Sequence, residues 1–316
     1  MRASHLAVVW NPSKTTQEQL EEALRDAVAD REAPDEVSWW QTSPDDPGQS
    51  ATAHAIEAGA DVVAAAGGDG TVRAVAEHLA EVSAPVELGI VPLGTGNLLA
   101  RNLDVPLGDP VAAFDRLLVS GTARTIDVGW AEVEEAGGTQ RCAFAVMAGF
   151  GIDAHMITET DDDLKEKAGW LAYVESLGRA VSASETIDVR MSVDEGRPHK
   201  ERAHTVLIGN CGTLQGGVVL LPGADPADGA LDMLLLSADD VAGWLDTLRT
   251  MVWDNGLKRV LSGRRSARSS DSVTHRRITA LRVELAEPRV FEIDGEDLGE
   301  TSRVVITVQP SALRVR

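Results

Sequence analysis

Two glycine-rich strings and two acidic ones hold this chain's candidate ligand-binding and acid–base residues. Ala66-Gly67-Gly68-Asp69-Gly70-Thr71 ends an apolar run in glycines, an aspartate and a threonine at what reads as a helix start. Glycine lets a backbone approach a phosphate without a Cβ in the way, and a helix N-terminus supplies N–H donors. Asp69 can then hold a phosphate-bound magnesium or orient the loop, while Thr71 can cap the helix or bond a phosphate oxygen. Taken alone, the string also reads as a tight strand-to-helix turn. It is not a P-loop, because the chain has no GK[ST]. Pro92-Leu93-Gly94-Thr95-Gly96-Asn97 repeats the arrangement, closing another apolar strand and opening a short helix from Leu98 to Asn102. Two such loops on neighbouring strands exceed what turn punctuation needs.

The acidic strings lie downstream. In the run from Leu221 to Asp232, Asp225, Asp228 and exposed carbonyls could bind a hard cation such as magnesium, which prefers oxygen ligands. On spacing alone, an Asp/Pro/Gly turn before a strand is the simpler reading. Phe291 to Asp297 follows an apolar strand into a glycine turn. Asp294 and Glu296 stand two residues apart, a spacing that projects both to one side of a strand and makes them general-base candidates. An exposed acidic hairpin is the commoner use of such a string. Gly149-Phe150-Gly151-Ile152-Asp153-Ala154 matches a dinucleotide GxGxxA pattern, but amid antiparallel strands it reads as close-packed backbone shaping a substrate cleft.

Strand and helix signals alternate around these residues in the first third. Apolar strands at 6–10, 37–40, 61–66 and 88–91 are separated by helical patterns at 16–30, 52–58 and 70–80. That rhythm predicts a parallel sheet covered on both faces, with Asn11, Thr42 and both glycine loops at the strands' carboxyl ends, where such sheets bind ligands. From Thr125 strands follow strands: 125–133, 141–148, 186–193, 204–209, 231–236, 278–285, 290–293 and 304–308. Helices are expected near 164–183 and 239–253. Residues 258–277 read as a basic loop carrying Arg264, Arg265, Arg268, Arg276 and Arg277.

Composition narrows the function. The chain has 316 residues, enough for two domains, and 29 basic against 50 acidic residues give a net charge of −21. Such a balance argues against a protein that coats nucleic acid. An anionic ligand would need a locally built site. Cys142 and Cys211 are far apart, the histidines are scattered, and no apolar stretch reaches membrane-spanning length. A soluble cytoplasmic protein is expected, able to touch a membrane surface.

In order and spacing, GGDGT at 67–71, PLGTGN at 92–97, Asp127-Val128-Gly129, Gly209-Asn210, PGADPADGALD at 222–232 and IDGE at 293–296 resemble the diacylglycerol kinase catalytic family. The likeness is greatest to its bacterial lipid kinase branch and spans nearly the whole chain. It implies an α/β fold in two domains. The first would be an N-terminal α/β nucleotide-binding domain with a mostly parallel sheet, residues 1–124 joined by 303–316. The second would be a C-terminal antiparallel, β-rich lipid-substrate domain, residues 125–302, with the active site in the cleft between them. The resemblance further implies ATP contacts at Asn11, Thr42, Gly67, Gly68, Asp69, Gly70, Thr71, Val72, Arg73, Ala74 and Thr95. It implies a Mg2+ site of Asp225, Asp228 and the Ala230 carbonyl, and Glu296 as proton acceptor with Asp294 beside it. Ser13-Lys14-Thr15 departs from the family's small-residue and glycine continuation after Asn11. The implied reaction phosphorylates a lipid hydroxyl at the membrane surface, diacylglycerol to phosphatidic acid, with peripheral membrane contact through the basic segment and the homo-oligomeric state left open. An NAD kinase-like enzyme and a nucleotide-binding protein without catalysis are the alternatives. PLGTGN followed by Leu98-Leu99-Ala100-Arg101-Asn102 favours the lipid kinase.

Overall fold

The computed structural model describes residues 4–119, 123–135, 137–151, 186–214, 219–221, 223–237 and 273–316. The expected helices near 164–183 and 239–253, and residues 258–272 of the basic segment, lie outside these.

Strands β1 (His5–Trp10), β3 (Val62–Gly67) and β4 (Glu87–Pro92) are buried along their whole length. Their near-continuous apolar runs require cover on both faces. With the edge strand β2 (Glu36–Gln41) they pair in parallel in the order β4-β3-β1-β2. Successive side chains alternate between faces. Ala7, Val9, Val63 and Ala65 pack beneath α2 (Gln49–Glu57) and α3 (Asp69–Glu81). Leu6, Val8, Trp10, Val62 and Ala64 pack against α1 (Gln17–Ala27) and α5 (Pro110–Leu118). Local chemistry starts these helices. Thr16 and Gln19 form a capping box on α1, and Asp109 caps α5 with Pro110 in its first turn. The short α4 (Leu98–Asn102) follows β4.

The remaining strands are β5 (Arg124–Glu135), β6 (Gly138–Phe144), β7 (Met147–Phe150), β8 (Ile187–Val193), β9 (His199–Gly209), β10 (Leu231–Ser237), β11 (Val273–Ile278), β12 (Ala280–Ile293) and β13 (Glu296–Val315). They pair antiparallel around a second core that contains Phe144, Phe150, Phe291 and Ile306. The twenty-residue β13 joins the two regions. It pairs with β12 and β5, and its end runs parallel to β4 through Arg314 opposite Glu87 and Val315 opposite Leu88.

Three strand expectations need correction. The run expected at 141–148 is broken into β6 and β7, because the amides of Ala145 and Val146 turn away to a buried carboxylate. The strands expected at 278–285 and 290–293 are one strand, β12, with register shifts between Glu284 and Arg289, where Pro288 has no N–H to give the ladder, and between Val290 and Glu292. Arg276 and Arg277 belong to strand β11 paired with β10, not to a loop.

Candidate active site

The carboxyl ends of β1 to β4 collect the first group of expected site residues. The Asn11 amide bonds the Ala66 carbonyl at 3.0 Å, and the Thr42 amide bonds that of Trp10 at 2.9 Å, so both loops hang from the sheet edge. The Asn11 side chain accepts from Ser13 and donates to Thr71 Oγ1 at 3.5 Å. Thr42 and Thr71 are buried, whereas Thr95 is exposed. Val72 and Ala74 turn their side chains into the core, and the Val72 amide is used by the Gly68 carbonyl.

Gly68 is the N-cap of α3 without any side-chain cap. The first-turn amides of α3 are therefore left without the side-chain acceptor that usually satisfies them. The second glycine loop closes directly over the first. A Cβ at Gly94 would stand 2.7 Å from the Gly68 Cα, so only glycine permits this approach. Asp69 ties the loops together: Oδ2 accepts from the Asn97 amide at 2.8 Å and Oδ1 from the Leu98 amide at 2.6 Å. Burial pushes the Asp69 carboxyl above its ordinary value, while the Leu98 and Asn97 amides pull it back. Both Asp69 carboxylate oxygens are thus turned to the second loop. Asn97 is left-handed at φ +48° and brackets Gly94 from both sides, accepting from its amide and donating to its carbonyl. Its part in the site went unread in the sequence, although Asn at a helix start after Gly-Thr-Gly is a local signal for a left-handed cap.

Asp294 and Glu296 do not share a strand face. β12 and β13 form a hairpin in which Ile293 is opposite Glu296, so Asp294 and Gly295 are its two-residue turn, at φ +48° and +84°. Successive positive φ values suit the tight hairpin turns that match strand twist. The turn separates the two carboxylates. Asp294 points inward and accepts from the amides of Ala145, Val146 and Met147 at 2.8–2.9 Å. Burial pushes its carboxyl up to about 6 against those three amides and Arg73.

Glu296 begins the next strand and points to α3. Its carboxylate pairs with Arg73, and a Cβ at Gly70 would collide with its Oε1. A carboxylate from the far end of the chain thus stands against the first turn of the GGDGT helix. Beside the hairpin lies an apolar pocket formed by Leu98, Met147, Phe150, Leu207, Leu214 and Leu220, with Asp294 and Gly295 in its wall. Gly149 and Gly151 lie against the carbonyls of Val206 and His204, where a side chain would clash. The GxGxxA string is close-packed backbone there, with residues 152–154 outside the described set.

The 223–230 loop is held by hydrogen bonds and an ion pair. Asp127 holds it from behind, its carboxylate taking the amides of Gly229 and Ser311 at 2.7 Å and its own amide bonding the Pro226 carbonyl. Asp225 accepts from Ala227, Asp228 accepts from Ala230, and Asp228 pairs with Arg277 at 2.8 Å. Among the described residues no group of three or more His, Cys, Asp or Glu side chains is placed to hold a metal. Asp225, Asp228 and the Ala230 amide are thus joined within the loop, and Asp228 is tied to β11 as well. The uncapped α3 terminus and its glycines fit a phosphate.

Residues 5–131 match the model of the diacylglycerol kinase catalytic domain, and residues 146–316 that of the YegS C-terminal NAD kinase beta sandwich-like domain. A probable lipid kinase YegS-like from Pseudomonas aeruginosa is 34% identical over 93% of this chain and 89% of its own. A diacylglycerol kinase from Mycobacterium tuberculosis is 30% identical over 59% of this chain and 58% of its own. In fold, the chain is similar to the crystal structure of a putative diacylglycerol kinase from Bacillus anthracis, with a TM-score of 0.70 at 20% identity over 100% and 98% of the two chains. With glycine loops meeting a carboxylate in this way and relatives matched along nearly its full length, the chain belongs to the diacylglycerol kinase catalytic family, in its YegS-like lipid kinase branch, a family of phosphotransferases that act on alcohols.

Proposed function

We propose that this chain is a lipid kinase that moves the γ-phosphate of Mg-ATP to the free hydroxyl of a diacylglycerol. The observation that carries the reading is the position of Glu296. Its carboxylate lies at the first turn of α3, where a phosphate would bind, and one residue from the apolar pocket beside Gly295. A hydroxyl next to an acyl tail seated in that pocket would come up between the base and the phosphate. Nucleotide phosphates would lie on the uncapped α3 amides and between the loops that meet at Gly68 and Gly94, with Asn11, Thr42, Thr71 and Thr95 at the same sheet edge.

The step follows from those positions. Glu296 takes the hydroxyl proton as the oxygen forms a bond to the γ-phosphorus. The bond from that phosphorus to the bridging oxygen breaks, and ADP leaves with the electron pair. Little covalent help from the protein is needed, because phosphoryl transfer relies on positioning and on charge stabilisation by the bound magnesium and amides. Asp294 takes no proton in this scheme. Its oxygens are occupied by three amides, and it sets the hairpin that aims Glu296. A lipid acceptor requires contact with a membrane surface, and ATP supply places the reaction on its cytoplasmic side. Among the described residues no helix is long and apolar enough to cross a membrane, so that contact is peripheral in this reading.

The test is incubation of the protein and Mg-ATP with total membrane lipid, followed by mass spectrometry. A new phosphatidic acid is expected. Phosphate on a sphingoid base or a monoacylglycerol instead would replace the acceptor and leave the kinase. Glu296→Gln is expected to lower turnover roughly 10²–10⁴-fold with nucleotide binding retained; undiminished turnover would remove Glu296 from the mechanism.

A further inference from the structure

We infer that Arg73 is a positioning residue that holds Glu296 for proton transfer, as the middle member of a Glu77–Arg73–Glu296 relay. The inference rests on the proposed role of Glu296. Arg73 is on the second turn of α3 and its side chain is only 11% exposed. One guanidinium nitrogen pairs with Glu296 Oε2, and another lies 3.5 Å from Glu77 Oε2. Glu77, one helical turn on, is itself fixed from two other elements. Its Oε2 accepts from the Ala143 amide of β6 at 2.7 Å, and its Oε1 accepts from Gln49 of α2 at 3.3 Å. The chain of contacts therefore runs from rigid backbone, through Glu77 and Arg73, to a glutamate that is otherwise 40% exposed at the start of a strand. An unheld glutamate there would sample several rotamers.

The guanidinium sits among carboxylates. Burial works against its charge, yet Glu296, then Asp294 and Glu77, keep its pKa above the ordinary arginine value. It remains a cation, and both its ion pairs are retained. Its Nε is buried without a hydrogen-bond partner. Burying a donor unpaired is unfavourable, so the side chain is held by the two carboxylates rather than by ordinary satisfaction of its donors. Arginine suits this place because its planar fork can hold two carboxylates in fixed directions at once. Such an arrangement orients the base and leaves the phosphates to the backbone amides.

A double-mutant cycle on Arg73 and Glu296 tests the inference, with kcat and the KM for Mg-ATP measured on full-length protein and thermal unfolding as the control for folding. Arg73→Gln is expected to lower kcat about 10²-fold with KM for ATP within about twofold of wild type. Arg73→Lys is expected to restore part of kcat. In the Glu296→Gln background, Arg73→Gln is expected to cost nothing further, since its only route to the chemistry is gone. A raised KM with unchanged kcat would make Arg73 a nucleotide contact and overturn the inference. Equal losses in both backgrounds would overturn it too, by showing an action independent of Glu296. If Arg73→Gln fails to fold, Arg73→Lys is read in the same cycle, and full additivity with Glu296→Gln again overturns it. Should Glu296→Gln alone be fully active, the base assignment fails first and is seen to fail separately.

Discussion

At the scale of single residues, Gly70 and Glu296 are the pair on which the site turns. Gly70 lies in the first turn of α3, and a methyl group there would meet Glu296 Oε1, the tip of a flexible side chain rather than a backbone. Gly70→Ala should therefore separate activity from stability. Alanine is favoured over glycine in a helix by up to about 1 kcal/mol, so the unfolding midpoint should hold or rise. The glutamate must swing away from the methyl, and kcat should fall by about 10-fold or more, as displaced catalytic groups do. A parallel measurement of the midpoint in urea and of turnover checks both signs; a variant of wild-type activity would mean that the Glu296 carboxylate is not needed over α3.

At the scale of elements, the β12–β13 hairpin and the β6–β7 break are one device. The chain leaves β6 at Phe144, offers the amides of Ala145, Val146 and Met147 to Asp294, and resumes as β7. The turn is thus clamped by backbone from another strand pair, and Glu296 inherits its position from that clamp. Asp294→Ala would leave the three amides without their acceptor, at a cost of about 2–4 kcal/mol by the usual price of buried unsatisfied groups. The deficit should depend on pH. The Asp294 carboxyl is raised from 3.8 to about 6 by burial, so the folded protein keeps a proton that the unfolded chain releases between those values. Stability contributed by this group is full below about pH 4 and is lost as pH rises through 6, a change of about 3 kcal/mol. The gap between wild type and Asp294→Ala in urea titrations should accordingly be wider at pH 4 than at pH 7. A constant gap would show that the carboxylate stays ionised throughout.

At the scale of the whole molecule, the last strand closes the fold. Glu87 at the start of β4 is buried, and its carboxylate pairs with Arg316 and with Arg314. Arg316 also donates to the Leu117 carbonyl at 2.8 Å, and its amide bonds Leu88 at 3.0 Å, fastening α5 and β4 to the end of β13. Because β13 begins at Glu296, the strand that carries the proposed base is pinned at its other end into the parallel sheet. Removing one partner of a buried pair leaves a charge uncompensated. Arg316→Met should lower stability by about 2–3 kcal/mol, below the usual loss for such a pair because the half-exposed Arg314 remains beside Glu87. The double variant with Glu87→Met should recover most of that loss in denaturant unfolding. If the double variant is as unstable as the sum of the two single changes, the pair is not coupled as drawn.

Local pattern is enough to read the parallel part of the fold. Uniformly apolar runs at Leu6–Trp10, Val62–Ala66 and Leu88–Val91 require burial on both faces, and the helices between them make the strands parallel. Parallel strands place their following loops at one edge, so the shared sheet edge of Asn11, Thr42 and the two glycine loops is legible in the sequence. The tertiary structure alone decided what those loops face. Arg73 and Glu296 are 223 residues apart, and Glu87 and Arg316 are 229 apart, and an ion pair between distant positions leaves no periodicity to read. Spacing misled at Asp294 and Glu296 for a definite reason. Alternation of faces holds only while the backbone stays extended, and a left-handed turn at Asp294-Gly295 sends one carboxylate into the core and the other to α3. Asp228 shows the same limit, since only the fold brings Arg277 to it, whereas the amides from which Asp225 and Asp228 accept belong to the local turn that the sequence already offers.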